Sequence, residues 1–533
     1  MRQSLPRNVM TRLESSRVVI YGLLAGALVG LMGSGLRVVL DQLVSALAFV
    51  TRFRPPGTPG EGGLLMAFGE AAPLGLLALP VLATLAALLR PGMRHDPLEE
   101  AVRQYHDDRH LPDTAADGRS LVASTLAYLS GVAVGRDGPF TALGNLSARL
   151  LTRMARLSRT EARTLALSCV GAALGLVLHA PLAAAVLIVE VLYRRFEFEF
   201  EVLLPAVLAS VAAYAVYGAL HGFSPLLVTS VMQFPGLAQV PMYALLALVV
   251  SLAAWLVTQA REALPGLEQH HWWHTASVTV FASLAAVLAY FVPETVGDGA
   301  GWLQVALRGF QDIESLWQGL LRLLLLVGVA WLALGGTVLS AVSAGGLLGV
   351  GVSSLLPALG LDPAVGGLVG AAAFLTTSHN VPVAATLLLA TWGGDALLPA
   401  LLAGTLLAHA LSGEASIVRP QVRSHAFSPV HAQAAVMPDT ENANMPPEER
   451  PALDKAPVEE QLYRVPLPDG WQGLGADDVV WPVGVQYVAL VRGGDVRVAE
   501  PMQIFQENDE LVLLASPDQF EGFAATLSSL RAR

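Results

Sequence analysis

Long apolar runs cut by glycine and proline constrain this chain more than any other feature. They cover residues 18–50, 72–89, 121–151, 164–192, 202–228, 242–260, 275–292, 316–342, 344–360, 364–392 and 395–412. A simple helical crossing of a bilayer takes about 20 apolar residues; some of these runs are shorter and some much longer. Many are interrupted, as at Gly135 to Pro139, at Pro181 and at Gly345-Gly346. Broken helices at membrane depth persist only where the freed backbone is buried in protein or lines a polar cavity. The pattern predicts an all-α polytopic membrane protein of tilted and broken helices, with a transport path through it. Charged residues make up only 14% of the chain, against about 25% in a soluble domain, which fits lipid as the solvent.

An internal repeat sharpens this expectation. Val170-Gly171-Ala172-Ala173 leads to His179-Ala180-Pro181-Leu182-Ala183-Ala184 and then to Leu203-Leu204-Pro205-Ala206. Val369-Gly370-Ala371-Ala372 leads to His379-Asn380-Val381-Pro382-Val383-Ala384-Ala385 and then to Leu397-Leu398-Pro399-Ala400. Duplicated halves with short, interrupted segments at matching positions point to a binding site near the bilayer midplane.

Arg2, Arg7, Arg12 and Arg17 precede the first apolar run, and Arg153, Arg156, Arg159 and Arg163 fill one connection. Arg419 and Arg423 follow the last run. By the positive-inside rule both termini lie in the cytoplasm, as expected of a multi-pass protein of the cell (inner) membrane. The net charge of −11 does not oppose this, because acid concentrates after position 430. The one lysine, Lys455, lies in a polar stretch, so no P-loop exists. Neither G-x-S-x-G nor H-E-x-x-H occurs, which leaves an enzyme without a visible centre. The single Cys169 excludes a disulfide framework. His270 and His274 have helical i,i+4 spacing but no acidic or thiolate partner nearby, so neither a metal nor a cofactor is expected.

Four regions follow: a cytoplasmic N-terminal segment 1–17, a transmembrane domain 18–430, a linker 431–457 rich in Pro, Glu, Asn and Ala, and a C-terminal domain 458–533. The last carries short alternating runs such as Val485 to Ala489, with turn residues at Gly493-Gly494 and Glu507 to Asp509. It reads as a small cytoplasmic α+β domain.

The residues Gly135-Arg136-Asp137-Gly138-Pro139 directly precede a helical pattern. Proline in a first turn with glycine before it fits a helix N-terminus facing a cavity, where free N–H groups bind anions. A carboxylate there can occupy the anion's position and leave when an anion or a proton replaces it. Asp137 as a simple N-cap on a surface loop remains the other reading.

The same five residues resemble the G-[KR]-E-G-P motif of the CLC family of chloride channels and proton-coupled chloride transporters. His179-Ala180-Pro181-Leu182-Ala183 and Ile188-Val189-Glu190 continue the likeness, which covers roughly residues 18–430. The resemblance implies a homodimer with one anion pathway per subunit, chloride as the transported ligand, and two inverted repeats. It places Asp137 at the gating glutamate and the backbone of Gly135, Arg136 and Gly138 around an outer anion site. Gly345-Gly346-Leu347-Leu348-Gly349-Val350 is similar to the family's G-G-I-F-A-P, which would give Gly346, Leu347 and Leu348 to a central anion. The C-terminal domain resembles the regulatory (TrkA-C-like) domain of potassium-uptake proteins, through Val479 to Pro482 and Val491 to Gly494.

Departures from the family pattern matter as much. The gate is Asp, one methylene shorter. Aligning prolines puts Arg94, within Gly92 to Pro97, at the family's anion-contacting serine, with a slip of one residue left open. The pore tyrosine falls at Val418. Glu190 matches a family glutamate, whereas the transporters' internal proton-transfer glutamate falls at Val191. With no ionisable side chain at Val191, the expectation is passive, channel-like chloride conduction. Proton-coupled antiport, organic-solute transport and a non-conducting membrane sensor are the alternatives.

Overall fold

The computed structural model describes residues 7–423 apart from 64–65, 91–94, 107–113, 156, 158, 230–235, 265–270 and 356–359. Beyond these it describes 424–425, 428, 430, 461–468, 471–476, 479, 481, 485–492, 495–498, 504–506, 509–515, 520 and 523. The chain divides into two compact units, Met1–Arg423 and Ser424–Arg533. The expected linker 431–457 lies outside the described residues, as does Arg94.

The first unit is helical throughout. Its first half contains α1 (Arg7–Thr51), α2 (Pro73–Leu76), α3 (Ala78–Leu88), α4 (Pro97–His106), α5 (Thr114–Leu129), α6 (Asp137–Ala155), α7 (Arg159–Val177), α8 (Pro181–Glu190) and α9 (Phe200–His221). The second half contains α10 (Val240–Ala263), α11 (His271–Phe291), α12 (Ala300–Leu307), α13 (Glu314–Trp331), α14 (Thr337–Leu355), α15 (Pro363–His379), α16 (Pro382–Gly393) and α17 (Leu398–Ser412). Helix α1 is continuous from Arg7 to Thr51. Among the described residues, seven helices are long and apolar enough to cross a membrane.

The repeat seen in the sequence is a repeat of helices. Helices α5 and α13 begin at 114 and 314, and α6 and α14 at 137 and 337. The short α8 and α16 each open on proline after a residue with positive φ, His179 (50°) or Asn380 (60°). Proline supplies the helical φ where no donor is needed, and the left-handed residue turns the chain sharply enough to start a new helix. Counterparts meet: α8 lies against α16, and α6 meets α14, as inverted repeats about a two-fold axis do.

Packing within the unit relies on small residues. A Cβ on Gly345 would lie 2.2 Å from Phe374 Cβ, and one on Gly349 2.2 Å from the Gly366 carbonyl oxygen. Helix α14 therefore approaches α15 backbone to backbone, the packing that serves helices in lipid. Its membrane-length window is 83% buried inside the protein, which makes it a central element rather than a lipid-facing one.

In the second unit, β1 (Gln461–Pro466), β2 (Gln486–Arg492), β3 (Asp495–Val498) and β4 (Glu510–Ala515) form an antiparallel sheet in the order β1-β4-β2-β3. Leu490, Phe505, Leu511, Leu513, Phe520 and Phe523 make its core. The run Val485 to Ala489 becomes β2, whereas Val479 stands outside the strands.

Candidate anion site

Two helix starts meet where the sequence places its glycines. The Gly135 amide donates to the Gly336 carbonyl at 2.8 Å, and α6 and α14 begin one residue beyond Arg136 and Gly336. A Cβ on Gly336 would sit 2.0 Å from the Gly135 oxygen, and one on Gly135 would sit 2.5 Å from the Gly336 oxygen. Gly336 also has φ of 66°, which side chains rarely adopt. Replacing Gly336 by Ala should therefore cost more than 2 kcal/mol, roughly, by strain and collision together. A methyl added to Gly118 of α5 would meet nothing within 4 Å, so Gly118→Ala should be neutral or slightly stabilising. Thermal unfolding of the two variants in detergent checks the contrast; equal melting would contradict the close approach.

Asp137 opens α6 but its carboxylate serves α14. Its two oxygens accept from the amides of Val338 (3.1 Å) and Leu339 (3.2 Å), and the residue is 3% exposed. The first amides of a helix have no partner within it, and the dipole end there favours negative charge. The carboxylate thus sits where an anion would bind. A surface-loop cap is contradicted by this burial and by the fact that the capped helix is another one.

Gly135 and Gly138 border the same junction, and a Cβ on Gly138 would lie 2.9 Å from the Gly336 nitrogen. Arg136 directs its guanidinium away from it. Nε and Nη2 donate to Asp298 at 2.5 and 3.2 Å, and Nη1 pairs with Glu61. Asp298 also accepts from the Ala300 amide at the start of α12. The charge of Arg136 is thus matched by two carboxylates, Asp298 and Glu61.

The assignment of Gly346, Leu347 and Leu348 to a central anion is corrected here. They lie about ten residues inside α14, where each amide is engaged by the carbonyl four residues earlier. The glycines of this stretch serve helix packing, Gly346 against Leu303 and Gly345 against Phe374. The free amides belong to the start of α14, after Gly335-Gly336. The repeat itself carried the signal, since Gly335 stands 200 positions after Gly135, as His379 stands 200 after His179.

A buried ionic network that sequence reasoning missed surrounds the start of α4. Asp96 accepts from the Glu99 amide at 2.8 Å, while Glu99 Oε2 reaches back to the Asp96 amide at 3.4 Å. This is a capping box formed with Asp. Glu99 Oε1 also accepts from Arg261 Nη2 (2.6 Å) and from the Arg419 amide (3.1 Å), and His95 Nδ1 lies 3.5 Å from Oε2. Glu99 and Arg261 are each 2% exposed. Val418, next to Arg419, is buried, and its amide donates to Ser416 Oγ at 3.1 Å. Its side chain offers no donor.

Glu190 repeats the device of Asp137. Its carboxylate accepts from Val383 (3.0 Å) and Ala384 (2.8 Å), the first free amides of α16. Val191 is buried, and its carbonyl accepts from Gln421 Nε2 at 2.8 Å. The same nitrogen donates to the His379 carbonyl at 2.9 Å. Of the histidine pair, His270 lies outside the described residues, and His274 Nε2 is 3.0 Å from the Leu332 carbonyl oxygen.

Interrupted helices in paired halves, with α14 and α16 each presenting its first amides to a buried carboxylate of another helix, define a polytopic membrane protein of inverted repeats. The voltage gated chloride channel family matches residues 78–413, and the chain belongs to it. It is 25% identical over 278 residues to the H(+)/Cl(-) exchange transporter ClcA of Vibrio campbellii, an alignment covering 49% of this chain and 58% of that relative's length. A CLC-type fluoride/proton antiporter has a similar fold, with TM-score 0.64 and 21% identity over 77% of this chain and 99% of that one. So has a slow cyanobacterial Cl-/H+ antiporter, with TM-score 0.61 and 17% identity over 75% and 96%.

Proposed function

We propose that this chain moves chloride across the membrane in exchange for protons, with Asp137 as the shared gate. The carrying observation is the Asp137 carboxylate, buried on the free amides of Val338 and Leu339. An anion and this carboxylate compete for the same donors, and protonation releases the carboxylate from them. The backbone of Gly135, Arg136, Gly138, Val338 and Leu339 forms the anion's cradle, with Val418 toward the inner side. The expectation of passive conduction gives way to exchange, because the relatives bear the names of an exchange transporter and of antiporters.

Passive conduction keeps one observation in its favour: Val191 cannot carry a proton. A homodimer in the inner membrane, with both termini cytoplasmic and the second unit regulatory, completes the reading. Purified protein in vesicles under a chloride gradient tests it. Exchange requires chloride movement to drive protons uphill at a fixed ratio. Chloride flux without proton movement would establish the passive reading instead.

A further inference from the structure

His379 is the last residue of α15 and is fully buried. Both ring nitrogens face hydroxyls: Nδ1 lies 2.9 Å from Ser378 Oγ, and Nε2 lies 3.1 Å from Thr337 Oγ1. Thr337 is the first residue of α14, and the next two residues supply the amides that hold the Asp137 carboxylate. An imidazole is thus fixed at the same helix end as the gate. Nothing in anion binding through backbone amides uses it.

On its other side, polar groups lead away from the gate. The Ser378 carbonyl accepts from the Ile417 amide (2.7 Å) and from Ser416 Oγ (3.3 Å). Gln421 Nε2 joins the carbonyls of His379 and Val191. Asn380 Nδ2 donates to the carbonyls of Tyr193 and Arg194, and the backbone of Arg194 and Arg195 pairs with Val422 and Arg423. Arg195 and Arg423 are exposed and both pair with Glu414, at 3.3 and 3.1 Å; the run of arginines that closes the last apolar segment assigns this end to the cytoplasmic side. Thr376 Oγ1, Thr377 Oγ1, Asn380 Oδ1 and Gln421 Oε1 are buried with no hydrogen-bond partner among the described residues. Buried polar atoms are normally satisfied by protein or by water, so the segment around His379 offers water several fixed partners.

We propose that His379 relays protons between the cytoplasmic side and Asp137, in place of the side chain that Val191 lacks. A proton arriving from the Ser378 side adds to Nδ1, and the proton on Nε2 passes to Thr337 Oγ1. When the Asp137 carboxylate turns from the Val338 and Leu339 amides to the hydroxyl one residue before them, the hydroxyl's own proton passes to it, so one proton enters and one reaches the gate. Hydroxyls suit the relay because each both donates and accepts. The short Asp137 side chain fits the same scheme, since the donor is brought to the helix end where the carboxylate already sits. The charges that act on the imidazole are Glu99 of α4 and Arg261 of α10, of opposite effect and paired to each other at 2.6 Å. Asp137 is held by the amides of Val338 and Leu339, and Glu190 of α8 is committed to the amides of α16 four and five residues after His379.

This relay rests on the exchange reading, and one experiment separates their failures. Full-length wild type, His379→Gln and Thr337→Val are reconstituted in vesicles, and protons moved per chloride are measured under a chloride gradient. Glutamine keeps hydrogen bonds to both hydroxyls but takes up no proton, so the ratio should fall by about tenfold or more. Thr337→Val removes the partner of Nε2 at nearly constant volume and should lower the ratio likewise; it also decides the matter if His379→Gln does not fold. The exposed Thr391→Val on α16 should keep the wild-type ratio. A wild-type ratio in His379→Gln, or in Thr337→Val where the first variant does not fold, overturns the relay and leaves exchange intact. A wild type that moves chloride without protons overturns both.

Discussion

Replacing Asp137 by Ala is expected to raise chloride flux at neutral pH and to flatten its pH profile. The ionised carboxylate makes two bonds to the amides of Val338 and Leu339, and hydrogen bonds to a charged group contribute about 1.5–3 kcal/mol each. Chloride must displace these bonds to occupy the same amides. Since about 1.4 kcal/mol is a factor of ten, removing the competitor should raise flux by about tenfold or more. The sign with pH follows from the same contacts. In wild type, acid protonates the carboxylate and frees the amides, so flux rises as pH falls; in Asp137→Ala no group at the gate titrates. Uphill proton movement should disappear in the same variant. Flux measured in vesicles from acid to neutral pH gives the answer, and a pH profile identical to wild type would remove Asp137 from gating.

Much of this architecture is legible in the sequence, because membrane depth leaves few options for interrupted apolar runs. The spacing of His179 and His379 marks the repeat, and the helices of the two halves follow it. The start of α14 lies about ten residues before the glycines that the sequence singles out, for a physical reason. Gly335-Gly336 and Gly345-Gly346 look alike as text, yet the first pair ends a turn with positive φ and the second packs α14 against its neighbours. Only the 200-residue offset from Gly135 distinguishes them. The ionic cluster is half visible: Asp96-Pro97 followed by Glu99 is a capping pattern, but its partner Arg261 lies 162 residues away. His379 stands out in the text as a repeat marker, while its contact with Thr337 spans 42 residues and depends on how α14 and α15 pack. Pairings of this kind arise from tertiary approach, which local pattern does not encode.

The Glu99–Arg261 pair should show a large stability effect. Both side chains are 3% exposed and meet at 2.6 Å, and Arg261 Nε further donates to the Ala330 carbonyl at 3.0 Å. Removing one member leaves the other buried without its counter-charge, which typically costs about 3–5 kcal/mol. Arg261→Met should therefore lower the melting temperature sharply, since among the described residues Glu99 keeps the Arg419 amide, the Asp96 amide and His95 nearby. Glu99→Leu should do the same by stranding Arg261 and opening the capping box. Combining the two removes both charges at once, and burial of apolar groups can replace a buried pair at little net cost. The double variant should thus be more stable than either single one, with a coupling of roughly 2 kcal/mol or more between the sites. Additive losses would show that the charges do not compensate each other. A recovery in stability with altered anion flux would locate the pair's role in fixing α4 and the segment at Val418 around the pathway.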